Sequence, residues 1–392
     1  MKNHIFIGFG FGPIQAGLFV NEAYKSGNFS RIVISEVDQK LVDAVRANNG
    51  CYYINVATFE GIEAFKIEGV EIYNPSNAKD RKEIIKALSQ STEICTSLPS
   101  VNFYDKGVAQ LIKEGLSQTN NVLVYTAENN NHAAEILEQK IGSFKNVQFL
   151  NTVIGKMSQV VVNKEEITTK NLKSIATGFD RAFLVEEFNK ILVTKCHLAD
   201  FKPGIEVFIE KEDLLPFEEA KLYGHNAIHA LLAYLGTQKG YKKMAELKND
   251  KEIMQIAMDA FIKESGAALI KKYAHLNEEL FTEKGFSAYA EDLLKRMTNA
   301  YLDDTIERAA RDPERKLGIN DRIFGTMQLA LEQGIVPINM TKGAVAGVFY
   351  FAEQEKLNIQ KDFKNILVKL WQNGDSKYKS KLIEFTEREL TH

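Results

Sequence analysis

Cysteine is scarce and scattered in this chain. Cys51, Cys95 and Cys196 are the only three, with no CxxC pair and no even-numbered framework, which argues against a disulfide scaffold and a structural zinc site. No metal is expected. Neither sign of charge is in excess: 49 Lys and Arg stand against 52 Asp and Glu, a formal net charge of -3. Without a basic footprint, nucleic acid is not an expected partner. No stretch approaches the roughly 18 apolar residues that a membrane span needs, so no membrane role is expected either. The N-terminal MKNHIFIGFGFG is a short apolar strand ending in glycines. A secretory signal would show a longer apolar run and a small-residue cleavage site. With the scattered cysteines, this points to a cytoplasmic protein. Internal repeats and low-complexity linkers are also absent.

What is present is ordinary globular material. The chain has 392 residues, 45% hydrophobic and 26% charged, enough for two or three domains with real cores. The first half alternates. β-rich runs (HIFIGF, RIVISEV, EICTSL, VLVYTAE, VQFLNTV) are separated by helical stretches at Pro13–Tyr24, Gln39–Asn48, Lys79–Leu88, Tyr104–Gly115 and His132–Ile141. Alternation of this kind predicts an α/β fold, a parallel sheet with helices on both faces. Between 157 and 210, MSQVVV, FLVEEF, KILVTK and EVFIE read as added strands with no crossover helices between them. From about 213 onward amphipathic stretches such as Lys251–Tyr273, Ser287–Met297 and Gly318–Gln333 predict an all-helical second domain. The expected division is 1–200 for a dinucleotide-binding domain and 201–392 for a helical substrate and catalytic domain.

The run HIFIGFGFGPIQAG places a strand directly before Gly8, Gly10 and Gly12, then a helix. In a Rossmann-type fold, glycines at this point make the tight turn and the helix N-terminus receives a pyrophosphate. The spacing departs from G-x-G-x-x-G: position 13 is Pro13, which suits the first helical residue because its missing N–H would be unpaired there. The second strand, RIVISE, ends at Glu36. An acid there accepts hydrogen bonds from the adenosine ribose and repels a 2′-phosphate. Together these features point to a nicotinamide dinucleotide, NAD rather than NADP.

One helical stretch is unusual. AKLYGHNAIHALLAYLG (220–236) is apolar nearly all round, the mark of a buried helix, yet it carries Lys221, His225, Asn226 and His229. Counting about 100° per residue from Lys221, the other three fall at roughly 40°, 140° and 80°, all within one face. Any one of them could cap, bridge or snorkel at an interface. The cluster suits alcohol oxidation: a desolvated lysine beside a cation takes the hydroxyl proton, an asparagine amide steadies the alkoxide and a histidine orients the partners.

The pattern Lys-x4-Asn-x2-His (Lys221, Asn226, His229) resembles the signature of the polyol-specific long-chain dehydrogenases. TAENNNHAAEIL (126–137) resembles that family's Glu-Asn segment after a Rossmann strand, and FLNTVIGKM (149–157) its Asn/Asp-x-x-x-Asp-Arg segment. FIKESGAALIKKY and NAYLDDTIERAARDPERKLGINDRI resemble helical segments of the branch that acts on phosphorylated substrates, whose length this chain shares. The resemblance implies metal-independent hydride transfer between NAD(H) and a sugar-alcohol phosphate, mannitol 1-phosphate giving fructose 6-phosphate. A free polyol or a hexuronate is the alternative substrate. It implies Lys221 as general base, Asn226 and Asn151 holding the alkoxide or carbonyl oxygen, His229 positioning that oxygen, and Glu128 with Asn129 near the cofactor. Gly155 and Lys156 stand where many relatives have Asp-Arg. A dinucleotide-sensing module without turnover would keep Gly8, Gly10, Gly12 and Glu36 but have no use for Lys221 with Asn226 and His229. Phosphate-binding candidates are Lys156, Arg296, Arg308, Arg311, Arg315 and Arg322.

Overall fold

Strand β1, His4–Phe9, sends successive side chains into two cores. Phe6 joins one hydrophobic cluster, Ile7 and Phe9 the other. The neighbouring strands β2 (Phe29–Ser35) and, further along, β6 (Glu93–Thr96), β7 (Val122–Thr126) and β8 (Val147–Val153) repeat the pattern. Ile32 and Ile34 face opposite to Val33, and Leu123 and Tyr125 opposite to Val122 and Val124. A strand buried on both faces needs apolar residues at every position, which is why these runs are continuous rather than alternating. The computed structural model describes residues 4–116, 120–372 and 374–391.

Between β2 and β6 lie three strands that strand–helix alternation does not account for: β3 (Tyr52–Ala57), β4 (Ile62–Ile67) and β5 (Val70–Tyr73). Four more follow β8: β9 (Ser158–Val161), β10 (Ala182–Glu186), β11 (Leu192–Thr194) and β12 (Ile209–Lys211). The large sheet runs β12-β11-β8-β7-β6-β1-β2-β5. From β5 to β8 every pairing is parallel, and the order is that of a doubly wound dinucleotide fold. Beyond it, β11 joins β8 antiparallel. The second sheet, β4-β3-β10-β9, ties distant sequence together. Asn55, fully buried in β3, donates to the carbonyls of Lys173 and Phe183, both at 2.9 Å. The added strands thus divide between two sheets. A short helix, Lys164–Thr169, also interrupts the stretch expected to have none.

Helices cover both faces of the large sheet. Helix α1 (13–26) and α2 (Gln39–Ala47) contribute Phe19, Val42 and Val45 to one core. Helices α3 (Ala78–Leu88), α4 (104–115) and α5 (Ala133–Ile141) contribute Ile84, Ile112 and Leu137 to the other.

The chain divides into two units at Leu214/Leu215, later than residue 200 because β11 and β12 extend the sheet to Lys211. Among the described residues the second unit holds no strand, only an isolated bridge between Lys243 and Thr305. Its main helices are α6 (215–238), α7 (251–273), α8 (Glu283–Met297), α9 (Arg322–Glu332) and α10 (Ile338–Gln354). The second half of α6 is buried from Ala230 to Gly236, as its all-round apolar sequence requires. Gly343 and Gly347 let α10 lie close against it; a methyl group there would come within 2.8 Å of Leu231 and 2.9 Å of Tyr234. No helix of the described residues is long and apolar enough to cross a membrane.

Candidate active site

The turn after β1 is built from backbone. Gly10 has φ +81, and a Cβ there would lie 2.7 Å from the Ser97 carbonyl oxygen, so both conformation and space demand glycine. A Cβ on Gly8 would overlap the buried amide of Gln15. Gly12 instead faces open space. The helix that follows, α1, begins at Pro13 and contains a π-helical segment, Gln15–Val20. Glu36 closes the turn from the second strand: its carboxylate accepts the Phe11 N–H at 2.7 Å and the Asp38 N–H at 2.8 Å. A cavity of about 710 Å³ opens here, walled by Gly10, Gly12, Pro13, Glu36, Ser97 and Leu98 among others. Its volume and its glycine floor fit a dinucleotide at a helix N-terminus. Arg81 of α3 also lines it, ion-paired with Glu114 at 2.8 Å. Sequence reasoning does not single out this arginine.

The other predicted residues of this unit do structural jobs. Glu128 is buried and accepts from the Thr96 hydroxyl (2.9 Å), the Leu98 N–H (2.9 Å) and the Tyr104 hydroxyl. Burial raises its pKa, against the pull of these hydrogen bonds. It therefore braces the Ser97–Leu98 wall of the cavity from inside. Asn129, next to it, is exposed. Asn151 accepts the Ala134 N–H and donates to Glu135, both at 2.9 Å, which satisfies the first turn of α5. Lys156 is buried, its amine on the carbonyls of Glu186 and Phe188. That removes it from the set of phosphate candidates.

In the helical unit Lys221, His225 and Asn226 sit in a π-helical segment of α6, Ala220–Asn226, and His229 in the α-helical turn that follows. The angles of an α-helix do not hold in that segment. A π-turn holds more residues than an α-turn, so residues five apart, such as Lys221 and Asn226, lie closer round the axis than the roughly 140° of an α-helix. His225 turns inward and is buried, while Lys221, Asn226 and His229 keep some exposure. The wide turn is held from outside: the Tyr223 carbonyl accepts the hydroxyls of Ser265 (2.8 Å) and Thr326 (3.1 Å). Gly224 makes room for α7, since a Cβ would stand 2.9 Å from the Phe261 ring.

Among the described residues the Lys221 amine makes no hydrogen bond or ion pair. Burial, and then the charge of Arg322, lower its pKa to about 8, with Glu218 pulling the other way. His225 is held well below the usual histidine range by burial, then by Arg296, His229, Lys221 and Arg322. His229 contacts Asp304 through Nε2 at 3.0 Å, and Asp304 also receives Arg308 Nε at 2.6 Å. Burial of Asp304 opposes its ionisation, but His229 and Arg308 outweigh that and hold its pKa low. Asp304 and Arg322 are neighbours that sequence reasoning does not assign to the cluster; Arg322 stands only among the phosphate candidates, and the one signal for Asp304 is membership of the NAYLDDTIERAARDPERKLGINDRI segment. Of the remaining arginines, Arg296 is bonded to Asp292 and Arg315 to Asp312, while Arg311 is exposed. No three His, Cys, Asp or Glu side chains gather as a metal site among the described residues.

Residues 213–382 match the model of the mannitol dehydrogenase C-terminal domain. A mannitol-1-phosphate 5-dehydrogenase of Buchnera aphidicola subsp. Acyrthosiphon pisum is 28% identical over 363 residues, 90% of this chain and 88% of that protein. One of Lactiplantibacillus plantarum is also 28% identical, over 83% of this chain and 81% of its own length. Among solved structures, Pseudomonas fluorescens mannitol 2-dehydrogenase, a ternary complex with NAD and D-mannitol, superposes with a TM-score of 0.70 at 14% identity, covering 99% of this chain and 91% of that one. Substrate-free D-sorbitol dehydrogenase gives 0.69, also at 14%, over 88% of this chain and 79% of that one. These two likenesses speak for the fold. In sequence, the likeness is thus to the mannitol dehydrogenases: to their C-terminal domain over 213–382, and to mannitol-1-phosphate 5-dehydrogenases over most of the chain.

Proposed function

We propose that this chain is an NAD-dependent dehydrogenase interconverting mannitol 1-phosphate and fructose 6-phosphate without a metal. NAD, when bound, supplies the hydride acceptor, and its reduced form the donor. The chain supplies the proton chemistry and the binding. The glycine turn and Glu36 hold the dinucleotide, Glu36 favouring the form with a free ribose 2′-hydroxyl. Lys221 takes the hydroxyl proton during oxidation and returns it during reduction. Asn226, whose amide has no hydrogen bond among the described residues, donates to the developing alkoxide. His229, fixed by Asp304, positions the same oxygen. Asn151 is the weaker of the two amides for this role because its own donor is engaged with Glu135.

The observation that carries the reading is the unpartnered Lys221 amine, brought down to about 8 by burial and Arg322. Such an amine is neutral, and so able to accept a proton, at pH values where an ordinary lysine is charged. The test is steady-state kinetics of the purified protein. Mannitol 1-phosphate oxidation should rise with pH through one ionisation near 8, because the deprotonated lysine is the active form. NADH oxidation should be faster with fructose 6-phosphate than with fructose or a ketouronate. Equal or faster turnover of the free sugar or the uronate would move the assignment to another branch of the family.

A further inference from the structure

Three buried polar side chains of the helical unit have no contact role in the chemistry above, and one of them, Arg322, enters it only through its charge on Lys221. Arg322, the first residue of α9, is 8% exposed, and its Nε has no hydrogen bond. The nearest carboxylate, Asp321, lies 3.2 Å away without the alignment a hydrogen bond needs; it accepts the Arg322 backbone N–H instead, at 2.7 Å. Tyr234 of α6 is fully buried, and its hydroxyl also has no partner. Lys316 is 6% exposed, and among the described residues its one hydrogen bond is to the Ala309 carbonyl, at 2.7 Å.

These groups share one neighbourhood: a Cβ on Gly347 of α10 would meet Leu317, next to Lys316, at 2.8 Å and the Tyr234 ring at 2.9 Å. Lys316 is brought down to about 7 by burial and then by Arg322, Arg315 and Arg311, with Asp312 opposing. Arg322 acts on Tyr234 and on Lys221 as well. Asp312 is bonded to Arg315, and Asp321 caps α9. Asp312 is thus engaged by Arg315, and Asp321 pairs with Arg322 without a hydrogen bond to its Nε, so the buried Arg322 and Lys316 are left without full compensation. That arrangement destabilises a folded chain unless an anion completes it. A phosphate dianion has the charge and the acceptor oxygens for a guanidinium, an ammonium and a hydroxyl together. Thr326, one turn on from Arg322 in α9, donates to the Tyr223 carbonyl two residues from Lys221, so a phosphate held at Arg322 lies beside the segment that carries the base.

We propose that Arg322 and Lys316, with the Tyr234 hydroxyl, form the subsite that receives the phosphate of the substrate. This rests on the phosphorylated-substrate reading given above.

The experiment compares kcat/KM for fructose 6-phosphate with kcat/KM for fructose, at saturating NADH, in the wild type and in Arg322→Met, Arg322→Lys and Lys316→Met. Calorimetric titration of each protein with fructose 6-phosphate and with inorganic phosphate accompanies it. Losing one charge-assisted partner of a buried phosphate should shrink the preference for the phosphorylated sugar by about thirtyfold or more. Arg322→Lys should retain part of it, and inorganic phosphate should bind the wild type more tightly than either methionine variant. A merely structural role would lower both sugars together and leave their ratio unchanged, which would remove these residues from the subsite while the phosphorylated-substrate reading stands. A wild type indifferent to the phosphate would remove that reading and this subsite with it. Should Arg322→Met fail to fold, Arg322→Lys and Lys316→Met decide the matter alone.

Discussion

In the sheet unit, Glu128, Asn151 and Lys156 all end in hydrogen bonds to their own unit: a wall of the cavity, a helix turn, two strand-end carbonyls. In the helical unit the Lys221 amine, the Tyr234 hydroxyl and Arg322 Nε end in none. Lysine thus does opposite jobs in the two units. In the first unit such side chains hold a backbone surface in shape, and that surface, the glycine turn, walls the cavity; the exception is Gln15, whose buried amide lies against Gly8 without a hydrogen bond. In the second unit the backbone is the support, down to the Tyr223 carbonyl gripped by two hydroxyls, and side chains are left unsatisfied. Unsatisfied buried polar groups are expensive to keep, so where they persist they mark the place a ligand is expected.

The sharpest way to break this contrast is Lys221→Ala. If the unpartnered amine is the base, turnover should fall by about 10²–10⁴-fold, the usual contribution of a general base. NADH binding, followed by fluorescence, should change little, and the folded state should gain or lose little because no hydrogen bond disappears. Near-normal turnover by a folded Lys221→Ala protein would end the assignment.

Glu36 tests the other unit. Its carboxylate is fixed by the Phe11 and Asp38 amides and lines the cavity. At about 4 Å and an effective dielectric near 20, a 2′-phosphate charge beside it is opposed by roughly 4 kcal/mol before screening. Arg81 softens this, but Glu114 already pairs it. NADH should be preferred to NADPH by about tenfold or more in kcat/KM, and Glu36→Ala should shrink the ratio mainly by weakening NADH. A wild type that prefers NADPH would overturn the role of Glu36.

The smallest effect separates two asparagines. Asn151→Ala removes a cap from α5 and should lower stability by about 1 kcal/mol, read as a shift in the denaturant midpoint. Asn226→Ala removes no hydrogen bond and should instead lower turnover at unchanged stability. The reverse pattern would put the amide of Asn151, not Asn226, at the reacting oxygen.

Much of this was legible in the sequence where the determinants are local. The buried strands of the Rossmann core, the glycine turn and the helices between them follow from runs of a few residues each. The strands at 52–73 were not: β4 carries Glu63 and Lys66 and buries only Ile67, though it forms a local hairpin with β3, and the other partner of β3, β10, lies more than a hundred positions on. The site shows the same split. Lys221, Asn226 and His229 stand together on one helix and were readable there. Asp304 and Arg322 reach them from far along the chain; the His229–Asp304 contact spans 75 residues. The π-turn was hidden for the same reason, since the hydroxyls that hold it lie 42 and 103 residues away. An ideal α-helix is what the sequence alone predicts for that segment, and it sets Asn226 roughly 140° round from Lys221, farther than the wide turn does.

That wide turn has a consequence for how such chains should be aligned. The four residues between Lys221 and Asn226 are a spacing that works only while the helix carries one residue more than regular winding accommodates. Deleting any single residue of 222–225 would let the segment relax to regular winding and bring the lysine to the asparagine by ordinary four-residue stacking. The helix on either side would keep its register, because the wide turn is what absorbs the extra residue. Lys221 and Asn226 would still share a face, and the loss would fall on the turn itself, with its carbonyl held by Ser265 and Thr326. A one-residue gap between Lys221 and Asn226 is therefore a smaller change than the same gap further along α6, where no wide turn stands ready to absorb it.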